Sequence, residues 1–144
     1  MKEIPKQNLE SMLLASLYEI HIGDRIINAL HLAGFTQVWQ VVVAPDSALA
    51  LIRGIGEVHI KEIRTCLKRL EWYGYNYVFC CELRGIFFKW CHGPLKIPQA
   101  TKPGKIIALF GAKGDPELHA SGNQFIARHL PELRGSLSKR IDVA

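Results

Sequence analysis

Apolar residues recur every three or four positions through most of the first 70 residues, which is the pattern of amphipathic helices. This pattern predicts helices over residues 8–18, 24–33, 46–52 and 57–70, with N-caps at Asn8, Asp24 and Asp46. The last of these helices is the longest, and its buried stripe is predicted to consist of Ile60, Ile63, Leu67 and Leu70.

The apolar run Val38–Val43 fits two structures. Its β-branched residues favour a strand, whereas its position between two helical segments favours a short helix, which we predict. Residues 1–72 are then expected to form one small helical domain of four or five helices, with its core over 20–72.

Beyond Trp72 the hydrophobic period changes from helical to alternating. The alternation from Tyr75 to Leu83, with Arg84-Gly85 as a two-residue turn, predicts a β-hairpin that extends to Trp90. In this register the apolar side chains share one face, which needs a partner surface. That surface would be the helical domain or a second copy of the chain, so the hairpin could mediate a homodimer.

The remaining residues predict little regular structure. The chain from 96 to 105 resembles an extended basic linker, and Ile106–Phe110 is predicted as a third strand. A loop over 111–122, a short helix over 124–130 that ends at Pro131, and a disordered tail from Gly135 complete the prediction. The expected fold class is α+β, in which residues 73–144 form a β-hairpin and a basic, partly irregular C-terminal region.

Composition and charge indicate a globular protein with an anionic partner. Hydrophobic residues make up 49% of the chain and charged residues 22%, and no stretch approaches the roughly 18 apolar residues of a membrane span. Residues 1–7 lack an apolar signal core, so a cytoplasmic location and no membrane partner are expected. The formal net charge of +5 comes entirely from residues 73–144, mostly between Arg84 and Lys113. Such a basic segment suits nucleic acid, although a solvated surface is the alternative.

The sequence Arg53-Gly54-Ile55-Gly56, placed directly before the longest helix, is typical of a phosphate-contacting hairpin. Glycines allow close backbone approach, and the amides at the start of the following helix point at the phosphate. A plain turn between two helices is the alternative.

Residues 22–30, Ile-Gly-Asp-Arg-Ile-Ile-Asn-Ala-Leu, resemble the opening helix of the C-terminal domain of the bacterial RNA polymerase alpha subunit. The match continues without insertion through Ile55-Gly56 and Ile60–Ile63 to Leu70, and covers about 50 residues. That family has a compact helix-hairpin-helix fold, binds the minor groove of A·T-rich DNA and contacts activator proteins.

The resemblance implies that Arg25 enters the minor groove beside Asn28, and that the hairpin amides contact phosphates. Glu62 matches an acidic position that organises this surface. The predicted DNA-binding residues are Arg25, Asn28, Arg53, Gly54, Gly56, His59, Lys61 and Glu62. A secondary basic patch is predicted at Lys89, Lys96, Lys102 and Lys105.

Three positions depart from the family pattern. The family places a Lys and then a Ser after the hairpin, where this chain has Val58 and His59, and it often has Asn at the position of Gly54. Loss of a phosphate-contacting lysine lowers affinity for DNA. The alternative function is therefore a protein-interaction module that docks to RNA polymerase or a regulator. An accessory domain of a nucleic-acid-processing enzyme is a third possibility. Lys61, Arg64 and Lys68 form a basic face that can equally be solvated.

No catalytic set or cofactor site is predicted. Zinc ligation by Cys80, Cys81, Cys91 and His92 is disfavoured because the hairpin register puts them on opposite faces. The segment 111–114 lacks the spacing of a phosphate loop. Neither His119 nor His129 has a carboxylate or nucleophile beside it in the sequence. We therefore expect a protein without enzymatic activity.

Overall fold

The computed structural model describes residues 8–70, 76–97, 102–110 and 116–143, and nearly all of these are helical. The elements are α1 (Asn8–Leu14), a 3-10 turn (Leu17–Ile20), α2 (Asp24–Leu32), α3 (Val38–Val43), α4 (Asp46–Leu49), α5 (Glu57–Lys68), α6 (Tyr77–His92), α7 (Pro103–Phe110) and α8 (Pro116–Val143). The described ranges contain no β-strand, only an isolated bridge between Ser16 and Gln37.

The predicted α+β fold is therefore wrong, and the segment predicted as a β-hairpin is the 16-residue helix α6. The Asn76 side chain caps this helix by accepting a hydrogen bond from the Phe79 amide at 2.8 Å. Phe79, Leu83, Phe87 and Cys91 recur every four residues and are all buried. Aromatic residues lie on several sides of this segment, so its hydrophobic pattern fits the alternating period of a strand as well as the period of a helix. Packing against the rest of the core selects the helix. Tyr75, the first residue of the predicted hairpin, lies outside the described residues.

The other structural predictions for the second half also need correction. Ile106–Phe110, predicted as a strand, belongs to α7, and the predicted loop from 116 onward belongs to α8. Pro131 lies inside α8, and the helix continues to Val143 instead of giving way to a disordered tail. A proline removes one helical hydrogen bond, here to the Ala127 carbonyl. Pro131 and Ala127 are both exposed, so water can solvate that carbonyl.

A helix is confirmed at each position predicted in the first half, including the short helix α3, but the helix predicted over 8–18 ends at Leu14 before a separate 3-10 turn, and the helix predicted over 46–52 ends at Leu49. The predicted stripe of α5 is buried as expected. The caps differ by one residue, since Gly23 and Pro45 hold the N-cap positions of α2 and α4 without a side-chain hydrogen bond. Asp24 and Asp46 are instead the first helical residues, where a carboxylate still favours the helix dipole.

Helix α3 lies at the centre of the core, and all six of its residues are buried. Both α1 and α6 pack against it. The Trp39 ring lies 5.4 Å from that of Phe110 and 6.0 Å from that of Phe87, measured between ring centroids. Phe125 of α8 joins the same cluster through Phe87 at 5.7 Å. The buried side chains of α3, α6, α7 and α8 thus form one continuous aromatic cluster.

Arg64 of α5 binds the C-terminal end of α3. Its guanidinium donates to the carbonyls of Val41 at 2.9 Å and Ala44 at 2.6 Å. The same group forms an ion pair with Asp46 at 2.8 Å. A short helix leaves its last carbonyls without helical partners, and these contacts satisfy two of them.

Arg84 of α6 donates to the two carbonyls that lie between those of Val41 and Ala44. It donates to Val43 at 3.1 Å and to Val42 at 3.2 Å. The Val42 carbonyl also accepts from the Cys80 thiol at 3.4 Å. Two cations from different helices therefore lie where the negative end of the α3 dipole is strongest.

Helix α8 approaches α3 at Gly122. A Cβ at this position would lie 2.4 Å from Cη2 of Trp39, so only glycine allows the observed contact. Close by, Asn123 accepts a hydrogen bond from the Trp39 indole at 3.1 Å, and His119 lies 2.7 Å from the Gln37 amide oxygen. These polar contacts fix α8 against the start of α3.

None of the helices in the described ranges is both long enough and apolar enough to cross a lipid bilayer.

Candidate nucleic-acid interface

The glycine hairpin lies directly against helix α2. Gly54 has a φ of +91°, a conformation that favours glycine. A Cβ at Gly54 would lie 3.6 Å from the Ala29 Cβ, which is ordinary van der Waals contact. Arg25 lies one helical turn before both Asn28 and Ala29, at spacings of three and four residues. The structure therefore places α2, the helix that carries the predicted Arg-Asn pair, against the predicted hairpin.

Glu62 of α5 lies at the start of α2. A Cβ on Gly23, the N-cap residue of α2, would lie 3.9 Å from the Glu62 carboxylate. This end of a helix favours negative charge, and the N-cap has no side chain of its own to supply it. The Glu62 carboxylate therefore lies near the N-terminal end of α2, and the organising role that the resemblance gives it stays a prediction.

The start of α5 has one internal cap. The Gly56 amide donates to Nδ1 of His59 at 2.9 Å, so the imidazole carries its proton on Nε2. This contact occupies one of the two hairpin amides that were expected to face phosphates. The first-turn amides of α5, from Glu57 to His59, have no side-chain cap from the Gly56 position. These amides point along the helix axis towards solvent-exposed positions, as in anion-binding helix starts.

Charge on this surface is nearly balanced. Arg25, Arg53 and Lys61 are exposed and could each meet a phosphate. Glu57 and Glu62 are also exposed and offset two of these three charges. We therefore expect the surface alone to bind DNA weakly and with a shallow dependence on salt.

The predicted basic face of α5 is divided by the structure. Lys61 and Lys68 are exposed, whereas Arg64 is partly buried and bonded to α3 and α4. Arg64 is thus a structural residue. Sequence spacing placed these three cations on one face, but the backbone carbonyls that bind Arg64 come from distant residues that spacing does not reveal.

The four lysines of the secondary patch are all exposed, but they lie on different elements. Lys89 belongs to α6, Lys96 follows it in a turn with a φ of +54°, and Lys102 and Lys105 lie at the start of α7. Helix α7 packs against α4, the short helix that leads into the hairpin. Lys105 and the adjoining Lys102 therefore belong to a part of the chain that packs against the helix leading into the hairpin.

Two exposed apolar side chains flank the hairpin. Val58 is 75% exposed at the position where the resembled family has a lysine, and Leu51 is 59% exposed before the hairpin. Both side chains are therefore accessible to a protein partner at the same surface that could meet a phosphate.

The cysteines are mostly buried. Cys80 and Cys91 face the core, whereas Cys81 and His92 are exposed, and no group of three or more metal-ligating side chains converges within the described ranges. Burial raises the pKa of the Cys91 thiol to about 11 and also raises that of Cys66. Both thiols stay protonated at neutral pH and are poor nucleophiles there.

The two histidines considered for catalysis have other contacts. His119 lies against Gln37, and His129 lies beside Glu132 at 3.6 Å and against the Phe125 ring. The glycine-containing segment 111–114 falls outside the described residues. No protein-family model, curated protein sequence or solved structure matches the chain.

Proposed function

We propose that this protein binds double-stranded DNA through the surface formed by α2, the Gly54–Gly56 hairpin and the start of α5. The observation that supports this most strongly is the closeness of Gly54 to Ala29 of α2, the helix that also carries Arg25 and Asn28: a Cβ on Gly54 would lie 3.6 Å from the Ala29 Cβ. Arg25 would insert into a narrow, A·T-rich minor groove, where the negative potential of the duplex is strongest. The free amides at the start of α5 would bind an adjacent phosphate.

The second half of the chain would add affinity without adding sequence preference. Lysines on α7 would attract phosphates beside the hairpin, because that helix packs against α4. A bacterial, phage or mobile-element transcription protein is the functional class that the resemblance favours, with a cytoplasmic location and no enzymatic activity.

A duplex-binding titration at two salt concentrations tests this proposal. With an A·T-rich duplex, the logarithm of the association constant should fall with the logarithm of salt with a slope of about −2 to −4, which corresponds to a few phosphate contacts. A G·C-rich competitor should compete less well than an A·T-rich one, because its minor groove is wider and carries a projecting amino group. Absence of duplex binding at low salt would contradict the proposal.

A second candidate function, docking to RNA polymerase or a regulator, is favoured by the exposure of Val58. The substitution Val58→Lys separates the two functions. If the surface binds DNA, an added cation at the start of α5 should strengthen duplex binding several-fold and steepen the salt slope by about one unit. If duplex binding stays undetectable in both proteins, the docking function is the better account.

A further inference from the structure

A pocket of about 490 Å³ opens at the end of α5 that lies away from the hairpin. Three parts of the chain form it: the junction between α3 and α4, the C-terminal half of α5 and the first turns of α6. The lining residues are Pro45, Asp46, Ser47, Arg64, Lys68, Asn76, Tyr77, Cys80 and Arg84. Its volume lies within the range of roughly 300 to 1,000 Å³ that is usual for small-molecule sites.

Positive charge dominates the lining. Asp46 is the single carboxylate among the lining residues, and Arg64 already pairs with it at 2.8 Å. Arg84 donates to the carbonyls of Val42 and Val43, which carry no formal charge. Lys68 adds an exposed ammonium group. The pocket therefore has two cations more than it has carboxylates.

Both guanidinium groups are held in fixed positions. Each is anchored by two backbone carbonyls at the end of α3, so little side-chain entropy remains to be lost when a ligand binds. Arg84 uses Nε and Nη2 in these contacts, which leaves Nη1 to donate elsewhere. A preorganised guanidinium with free donors suits a carboxylate or a phosphate.

The rest of the lining is suited to an apolar body. Pro45 and the Tyr77 ring contribute apolar surface, and Ser47 and Asn76 contribute neutral polar groups. A hydrogen bond with the Cys81 side chain raises the pKa of the Tyr77 phenol, so this ring adds no negative charge at neutral pH.

We propose that this pocket binds a small organic anion, in which a carboxylate or phosphate group is attached to an apolar body. The anionic group would lie between Lys68 and Arg84, and the apolar body would lie against Tyr77 and Pro45. The proposed anion site is distinct from the DNA surface, because Lys68 lies seven residues, about 10 Å along α5, beyond Lys61, the α5 cation of that surface. The proposal of an anion site does not depend on whether the chain binds DNA.

Calorimetric titration of the full-length protein with four probes tests the proposal. The probes are phenyl phosphate and benzoate, which carry the proposed anion and ring, inorganic phosphate, which lacks the ring, and benzyl alcohol, which lacks the charge. We expect phenyl phosphate or benzoate to bind, and whichever binds more tightly identifies the anionic group. Inorganic phosphate and benzyl alcohol should bind at least tenfold more weakly.

The substitution Lys68→Ala locates the binding. It should weaken binding of the preferred anion about tenfold, as expected for one charge-assisted hydrogen bond. Arg69→Ala is the matched control, since Arg69 is the next residue, equally exposed and not part of the lining. It should change the affinity less than twofold. Equal effects of the two substitutions, equal binding of benzyl alcohol, or no binding of either ring-bearing anion would overturn the proposal.

Discussion

Arginine has opposite roles in two regions of this molecule. At the end of α3, Arg64 and Arg84 are partly buried and donate to backbone carbonyls. On the helix-hairpin surface, Arg25 and Arg53 are exposed. A residue that satisfies buried carbonyls stabilises the fold, whereas an exposed one remains free to meet an external anion. The arginines that stabilise the fold therefore lie around α3, and those of the proposed DNA-binding surface lie around the hairpin, so substitutions in the two regions should have separable effects.

The largest effect is expected where α8 meets α3. Gly122→Ala would place a methyl group within 2.5 Å of two atoms of the Trp39 ring, which is far inside van der Waals contact. We expect a loss of about 3 kcal/mol in the free energy of unfolding, typical of severe overpacking. Urea denaturation followed by tryptophan fluorescence measures it. A neutral result would mean that α8 does not pack on Trp39.

The next largest effect is expected at the end of α3. Arg84→Met keeps the aliphatic stem but leaves the carbonyls of Val42 and Val43 without these donors. We expect a loss of about 2 kcal/mol, the usual range for unsatisfied buried polar groups. The exposed Arg128→Met should change stability by less than about 0.5 kcal/mol. Similar losses of stability in the two variants would contradict the structural role of Arg84.

Alkaline pH should lower the free energy of unfolding through the buried thiol of Cys91. Because the pKa of Cys91 rises to about 11 on folding from 9.0, its contribution to stability is complete below pH 9 and is lost between pH 9 and 11. In Cys91→Ala, the free energy of unfolding should therefore fall less steeply over this interval than in the parent protein. Identical slopes in the two proteins would contradict the burial of Cys91.

The smallest effect tests the corrected structure of α6. A Cβ at Gly85 would meet no atom within 4 Å, and this residue lies mid-helix without a positive φ. Gly85→Ala should therefore stabilise the protein by roughly 0.5 to 1 kcal/mol, because alanine is the better helix former. A glycine in a two-residue hairpin turn would give the opposite sign. Destabilisation by this substitution would contradict an unstrained mid-helix position for Gly85.

The first half of the fold could be predicted because its helices have polar outer faces. In α5, for example, exposed Lys61 and Glu62 alternate with buried Ile60 and Ile63, so only the helical period fits. In α6 the residues between the buried positions include Ile86, Phe88 and Trp90, which are themselves half-buried and apolar. Their presence makes both periods fit. The N-cap signal of Asn76 before Phe79 was the local clue to a helix.

For the candidate interface, the resemblance to the polymerase alpha domain implied that Arg25, Asn28 and Gly54 share a surface, and the structure places Gly54 against α2, the helix that carries the other two. The hydrogen bonds of this region could not be predicted. The use of the Gly56 amide by His59 depends on a local side-chain conformation. The pocket could not be predicted, because it combines Lys68 and Arg84 from helices whose packing the predicted hairpin excluded.

Substitution of Arg25 by alanine tests the central claim most directly. The dissociation constant for an A·T-rich duplex at low salt should rise at least about tenfold, because a minor-groove cation is lost. The urea midpoint of the same samples should stay unchanged, since Arg25 is exposed. Arg128→Ala, which removes an equally exposed charge from α8, should bind the duplex like the parent. If Arg25→Ala binds A·T-rich DNA as tightly as the parent does, the assignment of the DNA-binding surface is wrong.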